Sequence, residues 1–439
     1  MIPETSSYWL RNARVPQALL SDQSQAIAPV IPHLAAAPVW EDLVALDVHI
    51  QDGQIAHLRP SGGEIEEPST DLQEGLVFPG FVDIHTHLDK SHTWTRTPNP
   101  DGTFMGALTH IEADKRYWTE DDLYQRMDFG VRCAYAQGTV AIRTHLDSFE
   151  NTIAASLSAF RQLKAAWSDR VILEAVALTT LDNYATPWGE QLADAMAEVG
   201  GIMGGVPVMN PDLDAQLDRI FAIAKERQMP LDFHTDETND PASITLRQVA
   251  IAALRHEFPH TILCGHCCNL SVQSEDEASK TLHLVKEAGI NIVSLPMCNL
   301  FLQDRQPQRM PRWRGVTLLH ELRDQGTPVA IANDNSRDAF FSYGNHDGLE
   351  ALTQSVRIAQ LDRPIGTWPR AITRTPAEIM GIAAGEIGVG RSADLILFSA
   401  RNFSELFSRP QSDRRVLRQG KAIATTLPDY RELDHLVPY

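Results

Sequence analysis

A chain of 439 residues can bury one large core with a smaller companion, and 43% hydrophobic with 22% charged residues is the balance of a globular fold. Its formal net charge of −19 opposes binding to a nucleic-acid backbone or an anionic membrane surface and favours a small neutral or cationic ligand. No stretch reaches the ~18 consecutive apolar residues of a membrane span, and Met1-Ile2-Pro3-Glu4-Thr5-Ser6 carries no basic-then-apolar secretory leader.

Residues 8–15, 46–50 and 54–58 alternate or run apolar and are predicted strands, the last two joined by the hairpin signal Gln51-Asp52-Gly53. Residues 18–42, rich in Ala, Pro and Ser, are predicted to be a long connection. From residue 78 the texture changes. Strands are predicted at 78–85, 138–145, 171–178, 201–208, 231–234, 261–266, 291–295 and 328–334. Helical patterns fall between them, at 120–137, 152–167, 190–199, 212–227, 241–258 and 275–288. Strands alternating with helical crossovers predict an α/β fold, a (β/α)8 barrel. An open doubly wound sheet is the competing architecture, but no glycine-rich phosphate loop follows the first strand. Residues 392–398 and 415–424 return to strand pattern, the second turning at Gln419-Gly420. Both β-rich ends are therefore expected to fold together, 1–77 with 384–439, beside a barrel spanning 78–383.

Chemistry enters at His85-Thr86-His87. Alternate side chains of a strand share a face, so both imidazoles point to one place, as a metal ion would require. In a barrel the C-terminal strand ends form the mouth, and those ends here carry His85, His87, His145, His234, His266 and Asp334. Three imidazoles and a carboxylate suit one divalent ion with a position left for water, whose pKa such an ion lowers toward neutrality. No lysine ends the fourth strand near Val206-Pro207-Val208 to bridge a second ion, so one ion is expected.

Glu237, three residues past His234, is placed to take a proton from water and deliver it to a leaving nitrogen. The competing reading uses Asp236 or Glu237 to cap a helix starting near Asp240-Pro241, and both can hold if Asp236 or Asp240 caps. His266 can hold the water or polarise the group under attack, and Asp334 can orient that water. His145 reads either as support for a ligand or as a packed histidine. Cys264-Gly265-His266-Cys267-Cys268 lacks the second ligand pair of a closed structural zinc site, so its thiols read as small buried residues. With Cys133 and Cys298 the cysteines number five, an odd count that fits the reduced thiols of a cytoplasmic protein.

The motifs PGFVDIHTHLDKS, RTHLDS, LDFHTDE, CGHC and ANDNSRD, with Trp9-Leu10-Arg11-Asn12-Ala13 and Gly390-Arg391-Ser392-Ala393-Asp394-Leu395-Ile396-Leu397 at the two ends, resemble the amidohydrolase superfamily. More narrowly they resemble its cytosine deaminase branch, which includes N-isopropylammelide-type aminohydrolases acting on s-triazines; Leu302-Gln303-Asp304-Arg305 leans toward cytosine deaminase itself. The resemblance implies a distorted (β/α)8 barrel with a flanking β-sandwich made from both termini. It implies one Zn2+ or Fe2+ held by His85, His87, His234 and Asp334, proton transfer by Glu237, and an orienting or electrophilic role for His266. The reaction it implies is hydrolytic loss of ammonia or an amine from a nitrogen heterocycle, the partners being that heterocycle and water.

Leu178, Thr180, Asn335 and Phe340 are the expected substrate contacts. Two departures bear on the ring. Cytosine deaminase proper ends its third strand with a glutamine, where this chain has Ala177-Leu178-Thr179-Thr180, and its metal-binding aspartate precedes a second aspartate, where this chain has Asn335. A hydroxyl cannot offer the donor–acceptor pair of an amide, so the expected substrate is a cytosine-like pyrimidine or a related ring. The alternatives are a hydrolase that opens a cyclic amide or releases a substituted amine, as from an s-triazine, and a silent homologue used as a binding module. A silent homologue has no need of the complete ligand set present here. The sequence leaves a homo-oligomer open.

Overall fold

The computed structural model describes residues 2–35 and 40–437. The alternating N-terminal stretches form β1 (Ser7–Pro16), β2 (Leu43–Gln51) and β3 (Gln54–Pro60), with β2 and β3 joined at Asp52-Gly53, both left-handed. β4 (Ser69–Asp71) pairs parallel with β1, giving the order β3-β2-β1-β4. In the connection expected at 18–42, two 3-10 turns, Gln17–Leu19 and Asp22–Ser24, and the short helix Pro32–Ala35 follow β1, while residues 36–39 lie outside the described residues. The strand expected at 78–85 is broken into β5 (Val77–Pro79) and β6 (Phe81–Thr86). Pro79 has no N–H for a ladder, and a Cβ at Gly80 would lie 2.3 Å from Cγ1 of Val140, so only glycine fits the break.

The strands that follow are β7 (Thr139–Asp147), β8 (Ile172–Leu178), β9 (Met203–Gly205), β10 (Leu231–Thr235), β11 (Ile262–His266), β12 (Asn291–Ser294) and β13 (Val329–Ile331). They form a three-stranded sheet, β6-β7-β8, and a five-stranded parallel sheet running in sequence order from β9 to β13. Isolated parallel bridges pair Val176 with Ile202 and Thr180 with Val206, and a third pairs Thr86 with Asp334. β9 is shorter than the expected 201–208. Cβ atoms at Gly204 and Gly205 would lie 2.2 Å from the Asp232 carbonyl oxygen and 2.6 Å from that of Thr179, a backbone approach only glycine permits.

Helices between the strands bury one stripe each. In Leu213–Glu226 the buried residues are Leu213, Leu217, Ile220, Phe221, Ile223 and Ala224, the spacing of an amphipathic helix facing a sheet.

At the C-terminal end, β14 (Leu395–Leu397) pairs antiparallel with β5 and with β15 (Arg415–Arg418), and β15 pairs with β16 (Lys421–Ala422). The β15–β16 turn places Gln419 and Gly420 at φ 46° and 72°, the left-handed pair of a tight hairpin. Two compact units result. One comprises Met1–Val82, Arg132–Ala141 and Asp347–Leu427, and within it Leu10, Val48 and Ile50 share a buried cluster with Leu395, Leu397 and Leu417. The other comprises Asp83–Val131, Ile142–His346 and Pro428–Tyr439, and holds every strand end that bears a candidate site residue. Among the described residues no helix is long and apolar enough to cross a membrane.

Candidate metal and catalytic site

His85 and His87 leave β6 on one face while Thr86 points the other way, as strand parity requires. Nε2 of His87 lies 3.2 Å and Nε2 of His85 lies 3.6 Å from Oδ1 of Asp334, and Nε2 of His234 lies 3.3 Å from Nε2 of His87. Around an ion with bonds of ~2.1 Å the edges of a tetrahedron are ~3.4 Å, so this spacing suits one cation. Both nitrogens of His85 and Oδ1 of Asp334 are buried without hydrogen-bond partners, which is costly unless something else satisfies them. Burial holds His85, His87 and His234 well below the ordinary histidine value, so each keeps a lone pair to donate. Burial, with Asp338 adding to it, raises Asp334 to about 8, a cost that a neighbouring cation would reverse.

Asp334 reaches this position by leaving β13 in a left-handed conformation, φ 64°. Its N–H donates to the His85 carbonyl at 2.9 Å and its own carbonyl accepts from the Thr86 hydroxyl at 2.8 Å. Asp236 and His266, at the ends of β10 and β11, also have positive φ, 50° and 68°. Each such residue costs about 1–3 kcal/mol, so three at one mouth mark a strained site.

Asp236 is the cap and Glu237 is left free for the cavity. The Asp236 carboxylate accepts from the Ser243 hydroxyl at 2.6 Å, from the N–H and hydroxyl of Thr245 at 2.9 and 2.8 Å, and from the Leu246 N–H at 3.0 Å. From outside the helix Thr245–Arg255 it thus satisfies the first two N–H groups of the opening turn, which Ile244 at the N-cap position has no polar side chain to do. Asp236→Ala should lower stability by about 2–4 kcal/mol, read as the urea midpoint, because it strands several buried donors together; an unmoved midpoint would contradict the capping role.

Glu237 faces the cluster. Its Oε1 lies 3.4 Å from Nδ1 of His266 and accepts from Nδ2 of Asn299 at 3.2 Å. Burial, then the nearby Asp334, push its carboxyl well above the ordinary value, a setting that favours proton transfer. Burial lowers His266 to about 3, so its imidazole is neutral.

These groups open onto a cavity of about 800 Å3, whose wall includes His87, His234, Glu237, His266 and Asp334. Leu178, Thr180, Asn335 and Phe340 all line it. The Thr180 hydroxyl accepts from Nδ2 of Asn183 at 3.2 Å, Asn335 Nδ2 donates to Asp338 at 2.8 Å, and Phe340 stands edge-on to Phe104 at 5.6 Å. Phe104, Leu108 and Ile111 come from the helix Phe104–Asp114, which sequence reasoning had not singled out. The signal was present in Thr103, whose side chain accepts from the Gly106 N–H as an N-cap after a proline-rich turn.

Lys90 and Asp147 were missed as well. The Lys90 ammonium is buried 2.6 Å from Asp147 and 3.2 Å from Nδ1 of His87, and Lys115 reaches the other Asp147 oxygen at 3.2 Å. Burial pulls Lys90 down, but Asp147 and Asp89 outweigh it and hold the group above its ordinary value.

His145 lies against the cluster, its ring 4.1 Å from that of His85 and 4.6 Å from that of His234. It has no hydrogen bond to either, and its Nε2 is 3.8 Å from Asp232. His85, His145 and His234 also form a group whose ligand atoms lie within 4.8 Å of one another. All five cysteines are buried, and among the described residues none forms a disulfide or belongs to a metal-compatible group.

The model of the amidohydrolase family matches residues 123–427. Over 419 residues the chain is 47% identical to a pterin deaminase of Rhizobium rhizogenes (strain K84), covering 94% of this chain and 96% of that one. It is 23% identical to an N-isopropylammelide isopropyl amidohydrolase of Pseudomonas sp. (strain ADP), over 75% of this chain and 81% of that one. In fold it matches a 5-methylcytosine deaminase from Klebsiella pneumoniae liganded with 5-fluorocytosine, with TM-score 0.80, 24% identity, and coverage of 94% and 97%. The chain therefore belongs to the amidohydrolase family and is a hydrolase acting on carbon–nitrogen bonds other than peptide bonds.

Proposed function

We propose that the protein is a metal-dependent deaminase that hydrolyses an exocyclic amino group from a nitrogen heterocycle, and that the ring is of the pterin class. The observation that carries the reaction is that Glu237, beside His266, shares one cavity wall with His87, His234 and Asp334, with His85 buried against Asp334 behind it. The ring class rests on the 47% identity to a pterin deaminase over nearly the whole chain. Supporting it, Thr180 and Asn335 stand where cytosine deaminases carry other groups, and both line the cavity.

A divalent ion, Zn2+ or Fe2+ for three imidazoles and a carboxylate, would be held by His85, His87, His234 and Asp334 and would supply an acidified water as nucleophile. The remaining steps belong to side chains. Glu237 takes the proton of the water as oxygen adds to the amino-bearing ring carbon. It then returns that proton to the exocyclic nitrogen, the carbon–nitrogen bond breaks and ammonia leaves; the added hydroxyl's proton passes to the ring nitrogen, leaving a ring carbonyl beside a ring N–H. His266 offers its ring N–H to the reacting centre, and Phe340 and Leu178 cover the ring faces and exclude water. The architecture proposed with this site is a (β/α)8 barrel closed through the Thr86–Asp334 and Val176–Ile202 bridges, flanked by a β-sandwich from both termini.

Release of ammonia from pterin and cytosine, and of isopropylamine from N-isopropylammelide, by metal-loaded enzyme tests the substrate. Pterin should lead cytosine by about 100-fold or more in kcat/KM, the discrimination expected of a site that hydrogen-bonds one ring edge. Turnover of cytosine with none of pterin would overturn the ring class and leave the reaction standing.

A further inference from the structure

We propose that Asn299 is a positioning residue whose single amide group sets both the orientation of Glu237 and the tautomer of His266. The proposal rests on the deaminase reading above. Asn299 sits at the fourth position of the helix Pro296–Leu302, fully buried, with Pro296 at the first helical position. Its Nδ2 lies 3.2 Å from Oε1 of Glu237 and 3.0 Å from Nδ1 of His266.

The assignment follows from what each group can offer. In the base form that the proposed reaction requires, the Glu237 carboxylate only accepts, so the atom facing it is the NH2 and not the carbonyl. An NH2 has two protons. One goes to Glu237 and the other to His266, which saturates the donor. Nδ1 of His266 must then be the bare nitrogen, and in a neutral imidazole the proton resides on Nε2. Nε2 is buried, has no partner in the protein, and belongs to a residue that lines the cavity. One amide therefore aims a carboxylate acceptor and an imidazole donor at the same reacting centre. Gln303, one turn later, adds a weaker tether by donating to the Glu237 carbonyl at 3.4 Å.

The alternative is that Nδ1 of His266 carries the proton and points it at Glu237, 3.4 Å away, with Asn299 a spectator. The two arrangements differ in which nitrogen is protonated, so they are separable without turnover.

The test uses metal-loaded full-length enzyme labelled with 15N-histidine, the His266 signals being identified by their loss in His266→Asn. Wild-type His266 should show the Nε2–H tautomer, and Asn299→Leu should shift it toward a mixture. With pterin as probe, Asn299→Leu should lose about 10–100-fold in kcat with KM within about twofold and metal content unchanged, the range typical of residues that orient reacting groups. Asn299→Asp keeps the volume but presents an acceptor, so it should lose more, drawing the proton to Nδ1 and repelling Glu237. It also serves if the leucine variant folds poorly. An Nδ1–H tautomer in the wild type, or either variant turning over at the wild-type rate, would overturn the proposal. If the wild type releases no amine or ammonia from any of the rings tested, the deaminase reading fails; an active wild type and an inactive Glu237→Gln beside a fully active Asn299→Leu sink only the role of Asn299.

Discussion

Glu237→Gln is expected to retain its metal and lose about 10²- to 10⁴-fold in kcat, the contribution of a positioned general acid–base. The substitution keeps length, planarity and an oxygen that can still accept from Asn299 Nδ2, now at 3.2 Å from Oε1. What it removes is the capacity to hold a proton between water and the departing nitrogen. The environment makes that capacity pronounced, because burial and Asp334 both push the Glu237 carboxyl upward, easing its protonation in mid-reaction. Steady-state ammonia release with metal analysis on the same preparation checks it. A variant with wild-type kcat would remove Glu237 from the chemistry, and one that had lost its metal would make the kinetic result a structural one.

His234→Ala and Asp334→Ala should each weaken metal binding by at least about 100-fold, since ligand losses exceed those from supporting residues. His234 stands 3.3 Å from His87 and Asp334 is shared between His85 and His87, so either deletion opens one corner of the cluster. Two measurements read the effect: metal content after dialysis against a weak chelator, and the rise in Tm on adding zinc to stripped protein. The wild type should be stabilised by added metal through mass action, and the variants should not. Full occupancy in the alanine variants would mean that the ion is held elsewhere. The group of His85, His145 and His234 would then be examined through His145→Ala, which under the present assignment should retain metal.

Much of the site was readable along the chain because its signals are short-range. The two histidines of His85-Thr86-His87 share a face by strand parity, and Glu237 follows His234 by three residues, close enough for one strand-to-loop turn to bring both to the cavity. Asp236 as a cap follows from an acidic residue ahead of an apolar-periodic helix, although the helix starts at Thr245 and not near residue 240. Less readable were features whose cause is a distant backbone. The break between β5 and β6 depends on Val140 crowding Gly80, and the brevity of β9 on the Asp232 and Thr179 carbonyls.

The amino-acid order alone determined which residue types end which strands, and hence that imidazoles and carboxylates would gather at one mouth, because strand and helix periods are local properties of the backbone. It could not say that Asn299, 62 residues beyond Glu237, would bridge that carboxylate to His266, nor that Lys90 would pair with Asp147 beneath His87. Those meetings depend on strand register and on the left-handed turns at Asp236, His266 and Asp334, and such turns are held by contacts between remote segments that no periodicity encodes.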